Sequence, residues 1–262
     1  MKPGSKTNQL ALSEVRRVLK AVFILFLFAG CNKDDAEKDS IPTLEEFEKI
    51  SLAAGERNEE IKLADGSIWQ YRISVPDLEN GEKVPFLLNL HWSGNYDSYI
   101  ESMRCLVEPA FKEKRYIIFS PRIGFGENWF EEETRERILA FLDLARQNWP
   151  IDTSKMAVTG YSLGGTGTWN YSLSYDNYFS AAIPMAGAYF GDEKFNIPVC
   201  VIHGTEDELY PYDLALQAVQ DSRDMGSSIT VITAEGRSHQ EACLYLQYLI
   251  EAASWLENEV WQ

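Results

Sequence analysis

The sequence predicts an α/β fold: a mostly parallel central sheet with helices on both faces. Three observations carry that prediction. Short apolar runs alternate along the chain with stretches of helical spacing, which is the pattern of a doubly wound sheet. Most of the runs are apolar at every position rather than at alternate ones, as strands covered on both faces must be. The polar segments HWSGN, GYSLGG, HGTED and GRSHQ each follow such a run, and open α/β sheets collect their chemistry beyond the carboxyl ends of the strands.

Taken in order, Ser67–Val75 (SIWQYRISV) alternates apolar with polar and reads as an early edge strand. The runs Pro85–His91, Tyr116–Ser120, Met156–Tyr161, Ala181–Ala186, Pro198–His203 and Ile229–Thr233 read as buried strands. Glu131–Asn148 and His239–Asn258 have helical spacing, with Ile138, Leu139 and Leu142 on one apolar face and Leu244, Tyr248 and Leu249 on the other. No internal repeat and no Pro- or Gly-rich linker divides the chain. From Cys31 onward there are 232 residues, enough for one sizeable core, so 41–262 is expected to form a single domain.

The chemistry centres on VTGYSLGG, residues 158–165. A serine presented as a nucleophile sits at the tip of a sharp strand-to-helix turn. Side chains two residues to either side would collide across that turn, and Gly160 and Gly164 remove them. Gly165 lets the following helix approach closely. The free N–H groups at that helix's start point where an oxyanion would form. The pentapeptide by itself is also what an ordinary Gly-rich turn looks like; the strand before it and the helix after it supply the context.

A serine hydroxyl needs a base, and the base needs an orienting carboxylate. The chain has three histidines. His239 (GRSHQ) stands in a polar loop, free to turn, and is the candidate base. His91 and His203 end apolar runs and read as loop holders bonded to backbone. None of the three has metal-ligand spacing, and no metal or organic cofactor is expected. In HGTEDELYP, Asp207 is the short acid at the loop's bend, whereas Glu206 and Glu208 read as solvated charges. Ser162, Asp207 and His239 thus stand in the order serine, acid, histidine, on three successive strand ends.

The segment WPIDTSKMAVTGYSLGGTGTWNYSLSYDNYFSAAIPMAGAY resembles the core of the α/β-hydrolase serine esterases, in particular the dienelactone-hydrolase, esterase-D and feruloyl-esterase-like group. The ID-x-x-K lead-in, the GYSLGG elbow, the GTW after it, HGTED and GRSHQ all match. The resemblance runs from about Val84 to Trp255. It implies an α/β-hydrolase fold, Ser162 as nucleophile, Asp207 as acid and His239 as base. It also implies an oxyanion hole made by the backbone N–H of Leu163 and of the 91–94 loop. That group usually shows His-Gly where this chain has His91-Trp92, so either Ser93 or Trp92 is the second donor, with Gly94 as a relocated point of flexibility. In such a fold the stretches holding Cys105 and Cys243 lie on one face of the sheet, and an exported protein can bridge them; the sequence leaves that open. Cys200, inside PVCVI, reads as core.

Lys2, Lys6, Arg16, Arg17 and Lys20 precede the apolar run AVFILFLFAG. This is the make-up of a signal peptide, here residues 1–30, and too short for a membrane span. Phe28-Ala29-Gly30-Cys31 resembles a bacterial lipoprotein box, which makes Cys31 the lipidated residue and 31–40, rich in polar residues, a tether. A plain secretory signal with a chance cysteine is the rival reading. The address that follows is an outer-membrane lipoprotein, on the periplasmic or the cell-surface side. Removing the first thirty residues takes away five basic and one acidic side chain and moves the formal charge from −16 to −20. So acidic a protein is repelled by nucleic acid and anionic lipid.

The aromatic stretches Phe125–Phe130 and Ala188-Tyr189-Phe190 are candidate pocket walls. The expectation is a serine carboxylic-ester hydrolase acting through an acyl-enzyme, on small-molecule or glycan esters such as acetyl or feruloyl groups. A peptidase on the same triad and a non-catalytic glycan-binding lipoprotein are the alternatives.

Overall fold

The computed structural model describes residues 40–189 and 191–262. Eight strands form one sheet: β1 (Gly55–Lys62), β2 (Ile68–Val75), β3 (Val84–Leu90), β4 (Ile117–Pro121), β5 (Ile151–Tyr161), β6 (Ala181–Met185), β7 (Val199–Gly204) and β8 (Ile229–Ala234). Their order across the sheet is β1-β2-β4-β3-β5-β6-β7-β8. β1 and β2 pair antiparallel, and β2 runs antiparallel to β4. Every later pairing is parallel.

Period-two alternation divides the strands between two cores. Phe86, Leu88, Ile117, Phe119, Met156, Val158, Val199 and Val201 face one layer. Leu87, Ile118, Ala157, Cys200 and Ile202 face the other, as the pleat requires. The first layer is closed by α1 (Leu44–Phe47), α4 (Glu132–Asn148), α5 (Leu163–Ser174) and α6 (Tyr212–Asp224). Phe119 stacks on Phe141 there with ring centroids 3.9 Å apart. The second layer is closed by α2 (Ser98–Ser102), a π-helical turn, α3 (Glu108–Phe111) and α7 (Leu246–Trp255). On that layer Cys105 and Cys243 are joined by a disulfide, with Cα atoms 5.3 Å apart.

Three expectations need correcting. Ser67–Val75 is not the sheet edge: β2 lies between β1 and β4. The edge is β1, GERNEEIK, whose exposed charges disguise it from any search for apolar runs. The fifth strand begins at Ile151, five residues before the expected start at Met156, because Ile151 itself pairs with Val84 of β3 ahead of an irregular, polar stretch. The stretch 239–258 is not one helix. It opens in a loop, passes through a 3₁₀ turn (Ala242–Tyr245), and becomes α-helical only at Leu246. Residues 1–39, including Cys31 and the lipoprotein box, lie outside the described residues. Among those described, no helix is long and apolar enough to cross a membrane.

Candidate active site

Ser162 stands between β5 and α5 with φ 57° and ψ −117°, a left-handed conformation for a non-glycine residue. Such backbone is held only where its surroundings over-determine it. Here the Ser162 N–H donates to Met185 O (3.0 Å) and its carbonyl accepts from Thr166 N (2.9 Å). Glycine makes the turn possible by close approach rather than by unusual dihedrals. A Cβ on Gly164 would lie 1.8 Å from the carbonyl oxygen of Leu90, and one on Gly160 would lie 2.5 Å from that same oxygen. The start of α5 therefore lies directly on the end of β3.

Ser162 Oγ is 2.8 Å from His239 Nε2. The opposite nitrogen, Nδ1, donates to Asp207 Oδ2 at 2.9 Å. The other carboxylate oxygen, Oδ1, accepts the N–H groups of Leu209 (3.0 Å) and Tyr210 (2.7 Å), so the acid is locked into its own loop. Burial pushes the Asp207 carboxyl up, but the hydrogen bonds from His239 and Tyr210 outweigh it and hold the group below the ordinary carboxylate range. The three residues follow β5, β7 and β8. The strand ends are not successive, since β6 lies between the first two.

The base is also held by its backbone. Glu208 Oε2 accepts the His239 N–H (3.0 Å), and Tyr161 Oη donates to the His239 carbonyl (2.9 Å). Glu208 is thus not merely a solvated loop charge. The sequence offered no sign of this, because its partner is a backbone amide in another loop. Glu206 is exposed, as expected.

His91 and His203 hold loops by backbone bonds. His91 Nδ1 donates to Trp92 O (2.7 Å), while its Nε2 accepts from Ile123 N (3.2 Å). That pattern defines a neutral ring, and burial lowers its pKa to about 4. His203 Nε2 donates to Tyr210 O (2.6 Å), closing the loop that carries Asp207, and burial lowers its pKa as well. Among the described residues no group of three His, Cys, Asp or Glu side chains could hold a metal ion.

Ser162 and His239 line a cleft of about 600 Å³ whose walls include Trp92, Ser93, Tyr161, Leu209 and Leu244. The side chain of Trp92 meets Tyr161 edge-to-face, 6.1 Å between centroids. Leu163 opens α5, so its N–H has no acceptor within the helix. Ser93 and Trp92 border the same cleft. A Cβ at Gly94 would stand 2.6 Å from Ser98 Oγ, so this position accepts a glycine more readily than any larger residue. Among the expected aromatic walls, Phe125 is 98% exposed, whereas Trp129 is fully buried and donates through Nε1 to His91 O (2.9 Å). Trp129 therefore braces the 91–94 loop from below. Tyr189 stacks on Trp169, 4.6 Å between centroids, and Phe190 lies outside the described residues.

No family model matches the chain. It is 26% identical over 171 residues to a bifunctional acetylxylan esterase/xylanase of Neocallimastix patriciarum, a match covering 62% of this chain and 25% of that protein. Among solved structures, a thermostable esterase superposes with a TM-score of 0.64 at 20% identity, over 77% of this chain and 62% of the other. Fluorophosphonate-binding serine hydrolase F of Staphylococcus aureus superposes with a TM-score of 0.67 at 14% identity, over 78% of this chain and 99% of the other. The chain thus spans a quarter of its curated relative and under two thirds of the thermostable esterase. The fold is that of the α/β-hydrolases.

Proposed function

We propose that this chain is a serine carboxylic-ester hydrolase working through an acyl-enzyme. The observation that carries the reading is the continuous relay from Ser162 Oγ through His239 to Asp207, 2.8 and 2.9 Å per link, opening on a cleft. In the first half-reaction His239 Nε2 takes the Ser162 proton as Oγ attacks the ester carbonyl. The tetrahedral oxyanion is met by the N–H of Leu163 and by that of Ser93 or Trp92. The imidazolium then hands its proton to the departing alkoxide, and the carbonyl re-forms as the acyl-enzyme. In the second half-reaction His239 deprotonates a water, which attacks the acyl carbon, and the proton returns to Ser162 Oγ as the carboxylic acid leaves. Asp207 keeps Nδ1 protonated and the ring turned toward the serine throughout.

The substrate class within this reading is an acyl ester of a plant glycan, acetyl or feruloyl. Support comes from the acetylxylan esterase/xylanase relative and from the open mouth of the cleft. Export with lipid attachment at Cys31 belongs to the same reading. It rests on the box Phe28-Ala29-Gly30-Cys31 and is favoured by the Cys105–Cys243 disulfide, since such bonds persist in oxidising compartments. The experiment is Ser162→Ala assayed on p-nitrophenyl acetate, feruloyl esters and acetylated xylan. Loss of about three or more decades in turnover is expected; activity kept within tenfold of the parent would end the assignment.

A further inference from the structure

Beside the nucleophile lies a second cleft of about 470 Å³, bordered by Ser93 and Leu163 and lined by Tyr96 and Arg122, with the exposed Phe125 at its rim. Ser93 borders both clefts, and Leu163 directly follows the serine. The two clefts thus adjoin each other at Ser93, and an ester held at Ser162 has room for an arm in each.

Arg122 is the unusual group there. It follows β4 immediately, and its guanidinium lies 3.6 Å above the Tyr96 ring. Nη1 donates to Gln70 Oε1 (3.1 Å), the same oxygen that accepts the Tyr96 hydroxyl (2.7 Å). Nε is buried without an acceptor. The side chain is thus fixed in place, with two neutral partners and no carboxylate paired with it among the described residues. Five of the ten arginines among the described residues, Arg57, Arg72, Arg115, Arg137 and Arg237, meet an acid; Arg122 differs from the remaining four in lining a cleft that adjoins the nucleophile's. Glu127, the acid on the same cleft, turns Oε2 to the Gly124 N–H instead (2.6 Å). In a chain of formal charge −16, a cation with no acid paired to it, in the cleft that shares Ser93 with the catalytic one, is suited to recognition. The guanidinium fork suits a carboxylate bidentately.

We propose that Arg122 is a specificity-determining residue that binds a carboxylate borne by the substrate on the arm entering this cleft, so that the preferred esters are anionic. The proposal rests on the serine-hydrolase reading of Ser162. Two matched pairs test it, one for each arm. Mono-p-nitrophenyl adipate against its methyl ester places the charge on the acyl arm. 4-Acetoxybenzoate against methyl 4-acetoxybenzoate places it on the alcohol arm. The quantity read is the ratio of kcat/KM for charged over neutral member, in which any general loss of activity cancels. In the parent one pair is expected to favour the charged member about tenfold or more, as a charge-assisted hydrogen bond provides, and less so at high salt. Arg122→Gln is expected to abolish that preference, and Arg122→Lys, which keeps the charge without the fork, to retain part of it. No preference in either pair for the parent, or a preference that Arg122→Gln leaves intact, overturns the proposal. A failure of the underlying reading shows differently: Ser162→Ala would then hydrolyse all four esters as fast as the parent.

Discussion

Removing the Cys105–Cys243 bridge gives the sharpest quantitative test of the structure. The double variant Cys105→Ala/Cys243→Ala leaves the buried Cys200 as the single cysteine among the described residues. The bridged residues are 138 positions apart, and tying so long a loop in the unfolded chain is worth about 5 kcal/mol in the chain-entropy account. Domains are commonly stable by only about 5–15 kcal/mol in total, so a third or more of the stability is at stake. With a guanidinium dependence of about 5 kcal/mol per molar, the unfolding midpoint falls by about 1 M. The assay is equilibrium unfolding of parent and double variant, each with and without a phosphine reductant. Reduction should bring the parent down to the double variant and leave the latter where it was. A drop below about 0.2 M, or an equal response of both proteins to reductant, would refute the reasoning. Because Cys243 also lines the catalytic cleft, ester turnover should decline with the bridge even in the absence of denaturant.

Four further outcomes are expected. Asp207→Asn should lower kcat by several decades while the fold survives, because the amide cannot hold the imidazole in the productive tautomer; stopped kinetics on p-nitrophenyl acetate checks it. Glu208→Gln and Tyr161→Phe, which loosen the backbone of His239, should each lower kcat by roughly threefold to tenfold with little change in KM. Acid should weaken the fold before it touches Asp207. His91 is buried with a pKa near 4, below its unfolded value. Its contribution is therefore complete above about pH 6.5 and is lost as pH falls toward 4, amounting to about 3 kcal/mol. His203, shifted in the same direction by burial, adds to that loss, and unfolding midpoints measured from pH 7 to 4.5 would report both. Finally, Gly164→Ala should cost about 3 kcal/mol or more or prevent folding, because its Cβ would meet the Leu90 carbonyl at 1.8 Å.

Residues that must be apolar, or must be glycine, were easy to read in advance. β3, β4, β6, β7 and the second half of β5 are buried on both faces, so their composition announces them. The grouping of Ser162, Asp207 and His239 was legible because a glycine-flanked serine turn, a histidine in a polar loop and a short acid after a strand have few alternatives in a chain with three histidines. Hidden from the sequence was whatever depends on a partner far along the chain. β2 alternates as an edge strand does, yet it is covered on its second side by β4, a pairing that no local pattern encodes. Glu208 looks like any loop glutamate until His239, 31 residues on, offers its amide. Arg122 likewise owes its character to Tyr96 and Gln70, neither adjacent in sequence.

Among the described residues no strand pairs with the outer side of β1, which leaves a row of backbone donors and acceptors open to another extended chain. Glu56, Arg57, Glu59, Glu60 and Lys62 stand along that strand. A strand from a second copy would bring the same acids alongside these, and like charges set against each other across a ladder oppose its growth. The features that hid β1 from hydrophobic patterning thus oppose edge-to-edge growth at this side of the sheet where many copies are crowded together.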